Sequence, residues 1–190
     1  MPEITDGMIA VEDALKNVLA GVKQLGTEDI SVADAQNRVL AADVISRLTQ
    51  PPVAVSAMDG YAVRAEDVAS VPATLTQIGE SAAGSGFDGK IEAGQTTRIF
   101  TGAPVPEGAD AIVIQEDTET AGDQITMIEA APAGKYIRPA GLDFKTGDTL
   151  LSAGTRLNSR NIALAAAMNV PWIKVYRRPR VAILSTGDEL

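Results

Sequence analysis

The chain has 190 residues, enough for one large domain or two small ones, and its 45% hydrophobic and 22% charged residues are typical of a globular protein. It contains no cysteine and no histidine, which excludes a thiolate nucleophile, a Ser-His triad and a zinc site of the usual nitrogen and sulfur type. Its net charge of −9 opposes non-specific binding to nucleic acid, and any metal would be a hard cation held by oxygens, with magnesium as the first candidate.

The first residues, Met-Pro-Glu-Ile-Thr-Asp-Gly, lack the basic and apolar regions of a secretory signal. The sequence has no apolar run of about 18 residues, so we expect no membrane-spanning helix. Together with the absence of cysteine, these features favour a cytoplasmic protein without a membrane partner.

An amphipathic helix is predicted from about Ile9 to Leu25, because apolar residues recur there at intervals of three and four. Gly26 would end this helix. The apolar stripe favours a face that packs on the core, with an interface for a partner helix as the alternative. The stripe consists of Val11, Leu15, Val18, Val22 and Leu25.

A second helix is predicted to begin at Ser31, since Ser31-Val32-Ala33-Asp34 fits a capping pattern. A third helix is predicted from about Ser159 to Met168, with Asn158 or Ser159 as the N-cap and with Asn169 and Pro171 at its end.

Between these helices, from about residue 54 to residue 137, Gly and Pro recur and the apolar runs shorten. This pattern predicts a small β-sandwich or barrel-like module inserted into a helical body. The Gly-rich segment Ala82–Gly94 is interpreted as a long mobile hairpin tip, with a phosphate cradle as the alternative. The predicted strands of the module are Tyr61–Val63, Thr74–Ile78, Thr96–Phe100, Ala111–Gln115 and Gln124–Ile128.

After the third helix, Trp172–Tyr176 alternates as a strand does. The following Arg177, Arg178 and Arg180 are interpreted as a solvated connector, or alternatively as a basic cluster beside an anion-binding loop. The run Val181–Leu184 predicts a buried strand of a parallel sheet, with the next residues in the loop at its carboxyl end. One strand cannot make a sheet, so we expect the chain to be a fragment of a larger protein.

Two polar segments stand out in the β module. SAMDGYAVR contains Asp59 in an Asp-Gly turn, and TGAPVPEGAD presents the Thr101 hydroxyl on a stiff loop between two strands. Each is also explained as an ordinary turn or hairpin connection.

Two more polar segments follow the β module. Asp143 lies between Arg138 and Lys145, which fits either anion contact or surface pairing. Glu189, in the terminal STGDEL, can ligate magnesium or occupy a helix N-terminus.

The combination and order of these segments resemble the molybdopterin molybdenumtransferase family, which includes the bacterial MoeA type and the E domain of gephyrin. The segments are SAMDGYAVR, TGAPVPEGADAIV, the PAG stretch with Asp143, and STGDEL. The resemblance implies an enzyme that takes adenylylated molybdopterin and molybdate, yields molybdenum cofactor and releases AMP. It also implies Mg²⁺ as cofactor, a homodimer, and the molybdopterin adenylyltransferase as a further partner.

The resemblance implies roles for individual residues. Catalytic positions would be Asp59, Thr101, Asp143 and Glu189, with Asp59 and Glu189 also at the metal. The loop residues Ser185, Thr186, Gly187 and Asp188 would contact the bound molybdopterin. Carboxylates that hold magnesium offset phosphate charge, which reconciles an acidic chain with an anionic substrate.

The expected fold is α+β, elongated and multi-domain. A helical linker and dimerisation body would combine residues 1–48 with 140–177, and the β module would fill 49–139. Residues 178–190 would begin an incomplete α/β domain that binds molybdopterin. Because most of the pterin site would lie in the missing part, we expect the 190-residue chain alone to be inactive. The alternatives are a non-catalytic dimerisation or scaffold module and a phosphate-binding carrier.

Overall fold

The structure, a computed structural model, describes residues 9–185. Within this range the chain forms two α-helices, α1 (Val11–Ala20) and α2 (Ser159–Ala167), and twelve β-strands. None of the helices in the described range is long and apolar enough to cross a membrane. The strands are β1 (Thr27–Ser31), β2 (Val44–Ile45), β3 (Val55–Ser56), β4 (Gly60–Val63), β5 (Ala73–Ser81), β6 (Gln95–Ile99), β7 (Ala111–Ile114), β8 (Thr118–Ala121), β9 (Gln124–Met127), β10 (Ile137–Arg138), β11 (Thr149–Leu151) and β12 (Trp172–Tyr176).

The chain divides into two compact units, which change over at residues 44/45 and 150/151. The sequence-based ranges placed these changes at 48/49 and 139/140, and their assignment to functional domains stays a prediction. The second unit, residues 45–150, contains a six-stranded sheet in the order β7-β4-β6-β5-β9-β8. Strands β5 and β6 run parallel, and the other pairs in this sheet are antiparallel. The predicted β-rich character of this region is therefore confirmed.

Both faces of the six-stranded sheet carry apolar side chains, because successive residues of a strand point to opposite faces. On β4, Tyr61 and Val63 belong to one buried cluster and Ala62 belongs to another. The first cluster also contains Val68, Leu75, Ala111, Val113, Ile125, Met127 and Ala131, and the second contains Ile91, Ile99, Ala103 and Ile112.

The first unit contains less helix than the sequence analysis predicted. Strands β1 and β12 pair antiparallel over their whole length, from Thr27 opposite Tyr176 to Ser31 opposite Trp172. Asn158 is the N-cap of helix α2, and its side chain accepts the N–H groups of Arg160 and Asn161. Asn169 follows the helix at φ 58°, so the third predicted helix is confirmed. The predicted helical body is only partly helical, because the described part of this unit contains the β1–β12 strand pair together with α1, α2 and a 3₁₀ turn.

The structure corrects the first two predicted helices. Helix α1 ends at Ala20 instead of Leu25, and none of its residues is buried among the described residues. The expectation that its stripe packs on the core is therefore wrong within residues 9–185, because periodicity identifies an apolar face but not its partner. The second predicted helix is a single 3₁₀ turn, Val32–Asp34, because strand β1 extends to its cap Ser31.

The buried strand predicted at Val181–Leu184 is also absent from the described residues. This segment has no regular structure, and Ile183 is 90% exposed. A strand of a parallel sheet needs at least one neighbouring strand and cover on both faces, and no strand pairs with this segment in residues 9–185.

Two neighbouring threonines on β6 allow a comparison of a buried hydroxyl that has a hydrogen-bond partner with one that has none in the described part of the chain. Thr97 is fully buried, and its hydroxyl has no hydrogen-bond partner among the described residues. Thr96 is equally buried, but its hydroxyl donates to the carbonyl of Ala62 at 2.8 Å. We expect Thr97→Val to raise the free energy of unfolding by about 1 kcal/mol, because it removes a desolvated hydroxyl without a partner.

Thr96→Val is the control, and we expect it to lower the free energy of unfolding by about 1 kcal/mol because it removes a satisfied hydrogen bond. Urea unfolding followed by amide NMR signals of the sheet measures both variants. Equal destabilisation by the two substitutions would contradict the assignment of an unpaired hydroxyl to Thr97.

Candidate functional site

Asp59 and Thr101 form a hydrogen-bonded pair on the second unit. The Asp59 carboxylate oxygen Oδ1 accepts the backbone N–H of Thr101 at 2.7 Å and the Thr101 hydroxyl at 2.7 Å. The other carboxylate oxygen, Oδ2, takes part in neither bond. Both residues are exposed, so this pair can reach a ligand.

The local sequence explains how Asp59 is presented. The Ser56 hydroxyl donates to the Met58 carbonyl at 2.6 Å and accepts the Met58 N–H at 3.3 Å, which forms a turn just before Asp59. Gly60 then begins β4 against β7, where an added Cβ would lie 2.1 Å from the carbonyl oxygen of Val113. Only glycine fits at this position, so close packing against β7 explains the glycine that follows Asp59.

The loop that carries Thr101 is tied to the same segment by backbone hydrogen bonds. The N–H of Gly102 donates to the Ser56 carbonyl at 2.8 Å, and the N–H of Ser56 donates to the Ala103 carbonyl at 2.9 Å. These bonds hold the loop beside the turn and bring Thr101 to Asp59.

Asp143 lies on a neighbouring cleft in the same unit. Its N–H donates to the Gln50 carbonyl at 2.9 Å, and its carboxylate accepts from Arg138 at 3.3 Å. The cleft has a volume of about 400 Å³ and is open to solvent. It is lined by Gln50, Pro51, Pro52, Val53, Val55, Gly84, Gly102, Pro104, Arg138 and Asp143. Gly102, which directly follows Thr101, is the link between this cleft and the Asp59–Thr101 pair, whereas Asp59 and Thr101 do not line the cleft themselves.

The contacts of Asp59 lower its pKa below the ordinary value. The largest cause is the backbone N–H of Thr101, followed by its hydroxyl, and the positive charge of Arg98 adds to the effect, while desolvation opposes it. Because the pKa is lower in the folded state, the carboxylate adds to stability above the pKa of the unfolded chain. That contribution is lost as the pH falls through the folded-state pKa.

The fourth predicted segment is only partly covered by the structure. Ser185 is exposed and in no regular element. Thr186, Gly187, Asp188 and Glu189 lie outside the described residues, so their predicted roles stay predictions. Residues 9–185 contain no group of three or more acidic side chains placed to hold a metal ion.

Sequence reasoning missed two residues beside Asp59. Arg98 donates to the carbonyl of Gly60 at 3.1 Å and to the side-chain oxygen of Gln115 at 2.5 Å. The N–H of Gln115 in turn donates to the Asp59 carbonyl at 3.2 Å. One feature of the sequence could have identified Arg98. It is the single charged residue of the predicted strand Thr96–Phe100, and the other residues of that strand are β-branched or aromatic.

Comparison with known proteins agrees with this arrangement of segments. The family model described as "MoeA N-terminal region (domain I and II)" matches residues 9–169. The chain belongs to the MoeA family. The matched range contains the whole second unit of this MoeA segment and residues 9–44 and 151–169 of the first.

Individual relatives support the same assignment. The chain is 43% identical over 171 residues to a molybdopterin molybdenumtransferase of Nostoc sp., a match that covers 88% of this chain and 39% of the relative. It is 40% identical over 165 residues to a molybdopterin molybdenumtransferase of Haemophilus influenzae, covering 86% of this chain and 41% of the relative. The chain therefore spans about two fifths of the length of these MoeA-family relatives.

A solved MoeA structure has the same fold. The crystal structure of a molybdopterin biosynthesis moeA protein from Pyrococcus horikoshii matches with a TM-score of 0.83 at 32% identity. The match covers 88% of this chain and 46% of that protein.

Proposed function

We propose that the protein to which this chain belongs is a molybdopterin molybdenumtransferase of molybdenum cofactor biosynthesis. It would accept adenylylated molybdopterin and molybdate, and release molybdenum cofactor and AMP. The observation that carries the proposal is the Asp59–Thr101 pair, held beside a cleft in a chain of the MoeA family. The names of the matched relatives support the same reaction.

The residues of the second unit have distinct tasks in this proposal. Thr101 orients the Asp59 carboxylate through two hydrogen bonds to its oxygen Oδ1, which also fixes the position of the second oxygen, Oδ2. Arg138 offers a cation at the cleft and pairs with Asp143, which limits the positions that its side chain adopts. Glu189 and the residues Ser185, Thr186, Gly187 and Asp188 would contribute from the terminal loop to the metal and to molybdopterin.

Magnesium is the proposed cofactor, with Asp59 and Glu189 as its protein ligands. The donor set fits, because Mg²⁺ in phosphate-handling enzymes is held by one or two carboxylates together with water and substrate phosphates. The Asp59 carboxylate is exposed and its pKa is lowered, so it is ionised at neutral pH. When bound, the ion would neutralise phosphate charge and polarise the bond that breaks.

The family resemblance also leads us to propose a homodimer, located in the cytoplasm, that exchanges substrate with the molybdopterin adenylyltransferase. We propose that it binds neither nucleic acid nor a membrane. The net charge of −9 opposes binding to nucleic acid.

The reaction is tested with the full-length product of the reading frame that contains residues 1–190. We expect it to release AMP and molybdenum cofactor from adenylylated molybdopterin when molybdate and MgCl₂ are present, and to form no cofactor without molybdate. We expect the 190-residue chain alone to produce negligible cofactor. Absence of AMP release from the full-length product would refute the function, and binding of molybdopterin without turnover would favour the phosphate-binding carrier.

A second candidate role, a dimerisation module for a second copy of this chain, is favoured by α1. Its apolar stripe is exposed, with Leu15 at 57% and Val18 at 68%. We expect Leu15→Asp with Val18→Asp to leave the strand pairs folded and to convert any dimer into a monomer, because two charges would interrupt the apolar face. Light scattering with circular dichroism measures both properties.

The control for this test is Lys16→Gln with Asn17→Asp, which makes the same change in net charge on the opposite face of α1. It should leave the oligomeric state unchanged. Unfolding of the Leu15 and Val18 double variant would instead identify α1 as a core helix and remove the interface proposal.

A further inference from the structure

We propose that Arg98 is a positioning residue that holds the turn carrying Asp59 and the loop carrying Thr101 at a fixed separation. This proposal rests on the proposed function, because it assigns a task in the same site. Its basis is the set of contacts that Arg98 makes with both segments, which come from parts of the chain 42 residues apart.

The first contacts join Arg98 to the turn. One guanidinium nitrogen donates to the Gly60 carbonyl at 3.1 Å, and the other terminal nitrogen donates to the Gln115 side chain at 2.5 Å. Gln115 holds the preceding peptide, because its N–H donates to the Asp59 carbonyl at 3.2 Å. The two carbonyls that follow the Asp59 side chain, those of Asp59 and Gly60, are therefore held, directly or through Gln115, by one guanidinium group.

The second contacts place Arg98 against two aromatic rings. The guanidinium carbon lies 5.1 Å from the centroid of Tyr61 and 4.9 Å from the centroid of Phe100. Tyr61 is two residues after Asp59, and Phe100 directly precedes Thr101. Both distances are within the range of cation–π attraction, so the same group contacts the turn and the start of the loop.

Strand pairing between β4 and β6 places Arg98 beside the segments that carry Asp59 and Thr101. Tyr61 on β4 lies directly opposite Arg98 on β6, and Gly60 lies opposite Ile99. Asp59 directly precedes Gly60, and Thr101 lies two residues beyond Ile99, so both are just past the end of the β4–β6 pairing. Arg98 is one residue before that end, which places its side chain near the segments that lead to both residues.

Arginine is required at this position because its planar fork presents two donors in fixed directions and stacks on rings, whereas lysine is a flexible point charge. Arg98→Lys therefore keeps the charge and loses the geometry. Arg98→Met keeps much of the aliphatic stem and loses both the charge and the donors. Gln115→Leu removes one partner of Arg98 at an exposed position and leaves Arg98 itself in place.

The test in the 190-residue chain is amide hydrogen exchange at Thr101, whose N–H donates to Asp59. We expect exchange at Thr101 to be about three- to tenfold faster in Arg98→Met, and faster by a smaller factor in Arg98→Lys and Gln115→Leu, while amides of the β5–β9 pair keep their rates. The control is Arg47→Met, which removes an exposed arginine of the same unit and should leave the Thr101 rate unchanged.

The second test uses the full-length product. We expect Arg98→Met to lower kcat for cofactor release by about 10- to 100-fold, with KM for adenylylated molybdopterin within about twofold of the original. An unchanged Thr101 exchange rate, equal acceleration of all sheet amides, or an unchanged kcat would each overturn the proposal. If Arg98→Met does not fold, Arg98→Lys and Gln115→Leu decide the outcome. Lack of transferase activity before any substitution would refute the proposed function, and the exchange test would still decide whether Arg98 positions Thr101.

Discussion

Asp59→Asn in the full-length product is expected to lower kcat for cofactor release by about 100- to 1,000-fold, in line with the loss of one preorganised electrostatic contact in other active sites. Asparagine keeps a side-chain oxygen that can accept both hydrogen bonds from Thr101, but it carries no charge. The substitution therefore separates the charge of Asp59 from its position. Steady-state release of AMP at saturating substrate measures the effect.

The control for this variant is Asp123→Asn. Asp123 is an exposed carboxylate in the turn between β8 and β9, and its removal changes the net charge by the same amount. We expect kcat to stay within about twofold, because separated charges in solvent are largely screened. Activity of Asp59→Asn close to that of Asp123→Asn would show that the Asp59 charge takes no part in the reaction.

Gly60→Ala is expected to lower the free energy of unfolding of the β module by about 3 kcal/mol or more, because overpacking against rigid backbone cannot be relieved by a rotamer change. The new Cβ would lie 2.1 Å from the Val113 carbonyl oxygen and 2.9 Å from the Ile114 Cα. Relief of this clash requires β4 and β7 to separate, which would also displace Asp59. Urea unfolding followed by amide NMR signals of β4 and β7 measures the loss.

Gly26→Ala provides the comparison, since nothing lies within 4 Å of a Cβ added at Gly26. A change within about 0.5 kcal/mol is expected there, as for an ordinary surface substitution. If Gly60→Ala proved as mild as Gly26→Ala, close packing would not explain the glycine after Asp59.

The strands that were predicted correctly are those with a clear local pattern. Trp172–Tyr176 alternates apolar and polar residues and forms β12 with the same bounds. Strand β8 was missed because Thr118–Ala121 is a polar sheet edge without a buried residue. It pairs with β9 across the two-residue Gly122-Asp123 turn, a local hairpin signal that the sequence-based prediction did not use.

Helix α1 and the run at Val181–Leu184 have a clear local pattern, but the structure does not bury them as that pattern predicts. Both are apolar, yet Val11 is 79% exposed and Val181 is 77% exposed. Apolar periodicity reports that a surface favours burial, and the partner that buries it must be supplied by other parts of an assembly. Neither feature has that partner within residues 9–185.

The candidate site was predictable as a set of segments but not as a set of contacts. Asp59, Thr101 and Asp143 were each identified from their motifs, whereas Arg98 was not. Arg98 lies inside a strand without a motif of its own, and its task depends on Gln115 and Tyr61, which reach it only through the folding of the sheet.

The family, the order of the polar segments and the chemistry open to a chain without cysteine or histidine follow from the sequence alone, because they depend only on which residues are present and in which order. Tertiary structure decided that the Asp59 carboxylate meets the Thr101 hydroxyl at 2.7 Å and that Arg98 fixes both segments. The physical reason is that such contacts join residues far apart along the chain. They are set by the register between β4 and β6, and that register is set by the burial of both sheet faces.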